Sequence, residues 1–333
     1  MPEDFINELG QILAKIHLDA PGEIHFDGPF SEAPDSVQLG MPGRLQHWLY
    51  QNCFCNRLTA GNHQATAAAA VPGRSLLTEL SQANSGQDCW DSGWEIVEVS
   101  ANGRVAAKKR ELSRDFWPGE FISLEGPGLP PRAGMQLKAF FPKESAAMQP
   151  GFYFAFGNSA EEEFDELSVV RFYWAVRSSG AAPLMQSITE SLNRFQVPFR
   201  LKTPVDSSFY GRLDAAVLYV NKRFYQISAV LLARVYSGIR NHLAPLTPLF
   251  TKRLAPGLSL AEDPGTGESF GMQRCRLLAE AIWNAHTGPS QQARPRLETV
   301  LHQLELLGVR PDRPYLCAGS VDQYSFALGT EIA

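Results

Sequence analysis

Between Trp94 and Gly157 five short runs follow one another without a helical period: Trp94-Glu-Ile-Val-Glu-Val-Ser, Gly103-Arg-Val-Ala-Ala-Lys-Lys, Glu120-Phe-Ile-Ser-Leu, Met135-Gln-Leu-Lys-Ala-Phe-Phe and Gly151-Phe-Tyr-Phe-Ala-Phe-Gly. β-Branched and aromatic side chains pack well on a pleated surface, so these runs predict strands. Asn102-Gly103 separates the first two and predicts a hairpin with a type I′ turn, which needs positive φ at both central residues. The Pro/Gly segment from Gly126 to Gly134 separates the later runs. A chain containing this stretch is committed to an antiparallel sheet.

Helical periods flank it. Phe5 to Ile16 carries apolar residues at 5, 6, 9, 12, 13 and 16, and Leu45 to Cys53 places Leu45, Trp48 and Leu49 on one face. Pro21 to Gly43 is a Pro/Gly/Asp-rich connector, Ala67 to Ala70 belongs to a loop or short helix, and Arg74 to Ala83 predicts another helix. Later, Val169 to Val176 predicts a strand. Leu184 to Phe195 follows as a helix with Met185, Ile188, Leu192 and Phe195 inward. Val197 to Leu201 and Asp214 to Val220 predict strands. Ile227 to Leu243 predicts a helix with Ile227, Val230, Leu231, Val235 and Ile239 inward, and Arg274 to His286 a further one. Pro295 to Leu307 closes the series, with Pro in the first turn and Gly308 as its stop. The fold class is α+β, antiparallel or mixed sheets flanked by helices, with no internal repeat. A helical region 1–90, a β-rich region 91–165 and an α+β region 166–333 divide the chain, cut at the acidic run Glu161 to Glu166.

Charge narrows the function. Thirty Lys plus Arg against 35 Asp plus Glu give a net charge of −5, without the basic excess that a nucleic-acid partner favours. No apolar run reaches the roughly 20 residues that span a bilayer, and the N-terminus lacks a signal-peptide pattern, so a cytoplasmic protein with no membrane partner is expected. The five cysteines lack paired CxxC spacing, and the seven histidines lack H-E-x-x-H spacing. No metal and no cofactor is expected. Walker, dinucleotide and G-x-S-x-G signatures are also missing.

Locally the balance reverses. From Arg194 to Arg253 ten basic residues face two acids, Asp206 and Asp214, a distribution that suits a compact anion such as phosphate. From Pro198 to Arg276, polar, charged and glycine-bearing clusters alternate with apolar runs, as where several strand ends and loops serve one cleft.

The ordered succession Gly151-Phe-Tyr-Phe-Ala-Phe-Gly157, Arg171-Phe-Tyr-Trp174, Pro198-Phe-Arg-Leu-Lys202, Ala216-Val-Leu-Tyr219-Val, Pro248-Leu-Phe-Thr-Lys252, Ala261-Glu-Asp-Pro264 and Ser269-Phe-Gly271 to Arg274 resembles the HopA-type effector family. That family includes secreted effectors of plant-associated bacteria and relatives from clusters that make modified ribosomal peptides. The match runs from about residue 45 to 285 and is densest after 151. A more distant similarity is to phosphothreonine lyases and the lyase domains of class III and IV lanthipeptide synthetases, which implies a phosphothreonine-lyase-like C-terminal core. In those enzymes a lysine on a Pro-Phe-Lys-Phe-type strand removes the α-proton of phosphoserine or phosphothreonine, and Lys202 is its counterpart. The resemblance further implies a phosphorylated precursor peptide as substrate and a separate kinase-like phosphotransferase that supplies it. One element departs from the pattern: the lyases carry a histidine as general acid where this chain has Arg171-Phe-Tyr173-Trp.

β-Elimination requires a base for Cα–H, a donor for the developing enolate or the leaving oxygen, and cations for phosphate. Lys202 is the candidate base, active where burial and cations such as Arg200 lower its proton affinity. Arg171, Arg200, Arg212 and Arg274 are candidate phosphate ligands through the planar guanidinium fork, with Lys252 and Arg253 as a second clamp. Tyr173 and Tyr219 are each either a proton donor or a core aromatic. Asp263, beside Glu262, either orients the base, holds an arginine or caps a helix. Ser269-Phe-Gly271 is either an anion-binding turn or a plain turn into the next helix. A non-catalytic effector-like or scaffold protein that binds a phosphopeptide, leader peptide or kinase is the alternative function.

Overall fold

A computed structural model describes residues 2–19, 23–27, 39–58, 75–125, 128–159, 168–287 and 297–328. The elements run α1 (Pro2–Leu13), β1 (Ile16–Asp19), β2 (Glu23–Phe26), α2 (Met41–Leu49), which continues as a π-helical turn Tyr50–Phe54, and α3 (Leu76–Ala83). Then come β3 (Cys89–Val99), β4 (Val105–Lys109), β5 (Leu112–Phe116), β6 (Phe121–Ser123), β7 (Gln136–Phe141), β8 (Glu144–Ser145), β9 (Phe152–Phe156) and β10 (Val169–Trp174). The rest is α4 (Ala181–Arg194), β11 (Arg200–Pro204), β12 (Ala216–Asn221), α5 (Tyr225–Ile239), β13 (Lys252–Ala255), β14 (Leu258–Glu262), α6 (Phe270–Thr287) and α7 (Leu297–Leu306). The architecture is α+β with antiparallel sheets, as the sequence predicts. Among the described residues no helix is long and apolar enough to cross a membrane.

Two sheets carry the structure. A five-stranded sheet in the order β5-β4-β3-β7-β6 closes over a small core of Trp94, Ile96, Val105, Phe116 and Leu137. A seven-stranded sheet in the order β13-β14-β10-β12-β11-β9-β8 forms the centre of the molecule. The run Gly151 to Gly157 therefore leaves the first sheet: β9 pairs with β11, and the break between sheets falls after β7 rather than near Glu161. That acidic run, like Ala67 to Ala70, lies outside the described residues. The first 90 residues are not purely helical either. Ile16, Leu18 and Ile24 alternate inward on the β1–β2 hairpin and join the core shared by α1, α2 and the large sheet.

Local differences follow from turn and helix geometry. At Asn102-Gly103 only Gly103 takes positive φ (83°), while Gly103 N donates to Ser100 O at 2.9 Å and Ser100 N to Arg104 O at 2.8 Å. This is a three-residue loop, a type I turn with a glycine bulge, instead of type I′. In α5 the buried stripe is Tyr225, Ser228, Leu232, Val235 and Ile239, which leaves Ile227 and Val230 exposed; Phe195, just past α4, is exposed too.

The large sheet is covered on both faces. Phe172 of β10 stacks on Tyr225 of α5 (6.0 Å between ring centroids), whereas its neighbour Tyr173 meets Phe54 of the π turn (6.0 Å) and Phe270 of α6 (6.3 Å). Successive strand residues point to opposite faces. The Tyr173 face thus looks toward α2 and α6, and the Phe172 face toward α5.

Gly271 lets that packing happen. A Cβ there would lie 2.4 Å from Phe54 Cε1, inside a buried ring. Gly271→Ala is expected to lower stability by about 1–3 kcal/mol through overpacking, read as a lower urea midpoint at unchanged slope.

Candidate functional site

Strand register builds the site. Residues directly opposite each other in antiparallel strands share a face. One row across the Tyr173 face reads Phe156, Arg200, Tyr219, Arg171, Ala261; the next reads Phe154, Lys202, Val217, Tyr173, Ser259. Three strands, β10, β11 and β12, therefore deliver Lys202, Arg171, Tyr173 and Tyr219 to one patch.

Over this patch opens a cavity of about 380 Å³ lined by Lys202, Arg171, Tyr173, Tyr219, Arg212 and Ser269, together with Tyr50, Phe54, Gln149, Phe152, Phe209, Asp214 and Met272. Lys202 Nζ donates to Gln149 Oε1 at 2.7 Å and lies 3.9 Å from the Phe152 ring centroid. Burial pulls the Lys202 pKa down to about 8; the carboxylate of Asp214 opposes that shift, while Arg212 and Arg171 add to it.

Both arginines are held by carboxylates. Arg171 donates through Nε to Asp263 Oδ2 at 2.8 Å, and its Nη2 lies 2.6 Å from the same oxygen. Its guanidinium also sits 5.3 Å from the Tyr219 ring centroid. Arg212 forks onto Asp214, Nε to Oδ1 at 2.8 Å and Nη2 to Oδ2 at 2.7 Å, and Nη2 also donates to the Tyr50 hydroxyl at 2.9 Å. Asp263 thus holds an arginine, one of the three roles open to it. The Tyr173 hydroxyl is fully buried and makes no hydrogen bond among the described residues. Burial raises its pKa, with Arg171 opposing, so it remains protonated at neutral pH. Burial likewise raises Tyr219.

Other predicted ligands lie elsewhere. Arg274 is buried and donates to Pro314 O at 2.9 Å and Leu316 O at 2.7 Å, so it fastens the C-terminal segment. Lys252 pairs with Leu260, which places it on the Phe172 face, where its Nζ meets Asp322 at 2.8 Å and Tyr324 O at 2.6 Å. Arg253 shares the Lys202 face but stands four strands away, about 19 Å at the usual strand spacing, and lines a second cavity with Arg57 and Phe250. Lys252 and Arg253 thus form no second clamp at the Lys202 pocket. Arg200 stacks on the outer side of Tyr219 at 5.7 Å, beside the cavity rather than in its wall. Ser269 lines the cavity, and its Oγ accepts from Met272 N at 3.2 Å, capping α6. Gly271 lines the cavity too, packed closely against Phe54.

Tyr50, Gln149 and Asp214 were not anticipated. The π turn that swings Tyr50 inward has no sequence signature, and such turns recur at functional sites. Arg212-x-Asp214 is legible only as a short-range ion pair. Gln149-Pro-Gly-Phe152 carries a turn signature without stating what it faces.

A cationic pocket on the face of an antiparallel sheet, between two helical layers, defines the class of protein. The chain belongs to the HopA1 effector protein family, whose model matches residues 143–316, a span that carries every predicted site residue. No curated protein matches it. Among solved structures, an effector protein from Pseudomonas syringae pv. tomato strain DC3000 is similar at 15% identity and TM-score 0.50, over 95% of this chain and 98% of that one. Another, from Pseudomonas syringae pv. syringae strain 61, is 19% identical with TM-score 0.37, over 52% of this chain and 66% of that one. The first shares the fold over nearly the full length.

Proposed function

We propose that this protein is a phosphoserine/phosphothreonine lyase that eliminates phosphate from a kinase-phosphorylated precursor peptide, leaving dehydroalanine or dehydrobutyrine. The observation that carries this reading is a lysine of depressed proton affinity in one cavity with two arginines. Neutral Lys202 takes the Cα proton, the Cα–H electron pair forms the Cα=Cβ bond, and the Cβ–O bond breaks with its pair leaving on phosphate. Arg171 and Arg212 neutralise the departing charge. Tyr173, protonated and beside Arg171, is the donor to the leaving oxygen in place of the lyases' histidine, and Tyr219 holds Arg171 from its other side. A separate kinase-like phosphotransferase supplies the phosphopeptide.

The test is direct. Incubation with a synthetic phosphothreonine peptide in the presence of EDTA is expected to release inorganic phosphate and leave a peptide lighter by one phosphoric acid by mass spectrometry. Intact phosphopeptide after prolonged incubation would overturn it. The engagement of both arginines by Asp263 and Asp214 favours a second reading, a phosphopeptide-binding scaffold. Tight binding without elimination, abolished by Arg212→Ala and unaffected by Lys202→Ala, would select it.

A further inference from the structure

Beyond the base itself stands the turn that holds it. Gln149-Pro150-Gly151-Phe152 closes through Phe152 N donating to Gln149 O at 3.1 Å, with Gly151 at φ 81°. Proline at the second position and a positive-φ glycine at the third define a type II turn. This turn is also tied to the strand of Lys202: Val205 N, immediately after β11, donates to Gly151 O at 3.1 Å. From one rigid platform, then, the chain presents a carbonyl oxygen 2.7 Å from Lys202 Nζ and an aromatic face 3.9 Å from it. Every other polar side chain in the cavity wall is charged or a hydroxyl: Arg171 and Tyr173 from β10, Tyr219 from β12, Arg212 and Asp214 from the preceding segment, Tyr50 from the π turn and Ser269 before α6. The start of α6 adds only Gly271 and Met272. Gln149 is thus the one neutral acceptor among the described residues of the cavity wall that takes a hydrogen bond from Lys202.

We propose that Gln149 is a positioning residue for Lys202: by accepting one N–H from the turn side, it fixes the amine so that its remaining valence points into the cavity. This rests on the lyase reading. A neutral acceptor suits a base better than a carboxylate would, because a carboxylate at the same place would hold the ammonium charged. Without Gln149 the flexible four-carbon stem leaves the amine free to rotate away, an orientation loss that catalysis registers strongly.

Gln149 is exposed, so its substitution is expected to leave the melting temperature unchanged. The experiment records pH–rate profiles on a phosphothreonine peptide for the wild type, Gln149→Glu, Gln149→Leu and Lys202→Ala, and titrates the Lys202 ammonium by NMR with 15N-labelled lysine. Gln149→Glu is expected to move the acid limb of the profile, and the NMR titration, upward by about one pH unit. Gln149→Leu is expected to lower plateau kcat roughly tenfold with KM little changed. Gln149→Asn, one methylene shorter, is expected to fall between wild type and Gln149→Leu. If the wild type eliminates and Lys202→Ala does not, yet Gln149→Glu and Gln149→Leu keep the wild-type profile, the positioning role is wrong. If Lys202→Ala still eliminates, the lyase assignment of the base is wrong instead. An NMR titration of Lys202 that is identical in Gln149→Glu and wild type overturns the contact itself.

Discussion

Lys202→Ala is expected to lose roughly 10²–10⁴-fold in kcat while retaining phosphopeptide binding, the span that a general base contributes. Binding survives because Arg171 stands on β10 and Arg212 in the segment before β12, each braced by its own carboxylate. Single-turnover release of phosphate, set beside equilibrium binding of the same peptide, separates the two effects. The wild-type rate is expected to rise with pH through about 8 and then level, because only the neutral amine accepts a proton. At pH 7 a group of pKa about 8 is about 9% neutral, against roughly 0.03% for an ordinary lysine near 10.5. Burial therefore multiplies the active fraction several hundredfold, a larger factor than any single contact in the pocket supplies. A profile that is flat from pH 6 to 9 would exclude Lys202 as base.

The same depression has a cost in stability, with a defined sign. The native state holds Lys202 less tightly protonated than the unfolded chain does. Between pH 8 and 10.5 the unfolded state consequently binds more protons, and stability rises with pH across that window. Below pH 8 the full penalty for a charged, partly buried amine is present. Lys202→Met is expected to melt about 2 °C higher than wild type at pH 7, and to lose that advantage by pH 10.5.

How much of this was legible in the sequence depends on distance along the chain. The strand parities of Lys202, Arg171, Tyr173 and Tyr219 follow from local alternation, and each of these four does face the pocket. Their convergence is set by the pairings of β10, β11 and β12, which no local pattern encodes. Lys252 and Arg253 look alike as adjacent basic residues, but their strand, β13, lies four strands from β11, and both line the second cavity rather than the Lys202 pocket. Arg274 follows a plausible anion-binding turn, yet its partners are carbonyls 40 and 42 residues further on. Gly151 to Gly157 reads as one more strand of the preceding sheet because its composition is the same. Only its pairing with β11 shows that it belongs to the pocket and brings Gln149 with it.

Glu262→Ala is expected to destabilise the protein by about 2–4 kcal/mol, because it leaves Lys222, the Tyr324 hydroxyl and Cys317 N without their shared acceptor. Glu262 is 1% exposed and receives Lys222 Nζ at 2.8 Å, the Tyr324 hydroxyl at 2.7 Å and Cys317 N at 2.8 Å. It is the central fastening of residues 308–328, which carry no helix or strand and depend on side chains of the sheet and α6 for their path. Arg274 holds Pro314 and Leu316, and Lys252 holds Asp322 and Tyr324, so two residues suspected of anion binding anchor this segment with Glu262. Its partners hold the Glu262 carboxyl below the usual carboxylate range in spite of burial, so its contribution is complete above about pH 4.5 and fades as pH falls through the lowered native value. Urea midpoints from pH 3 to 7 are expected to show that acid loss in wild type and to lack it in Glu262→Gln. Hydrogen exchange from 315 to 326 is expected to accelerate in Glu262→Ala; unchanged protection there would mean that apolar packing alone holds the segment. The effect extends to the pocket, since Cys317 Sγ donates to Asp263 O at 3.3 Å and Asp263 braces Arg171. A loosened segment frees Arg171 to wander, so Glu262→Ala is also expected to weaken phosphopeptide binding from a position that never touches the substrate.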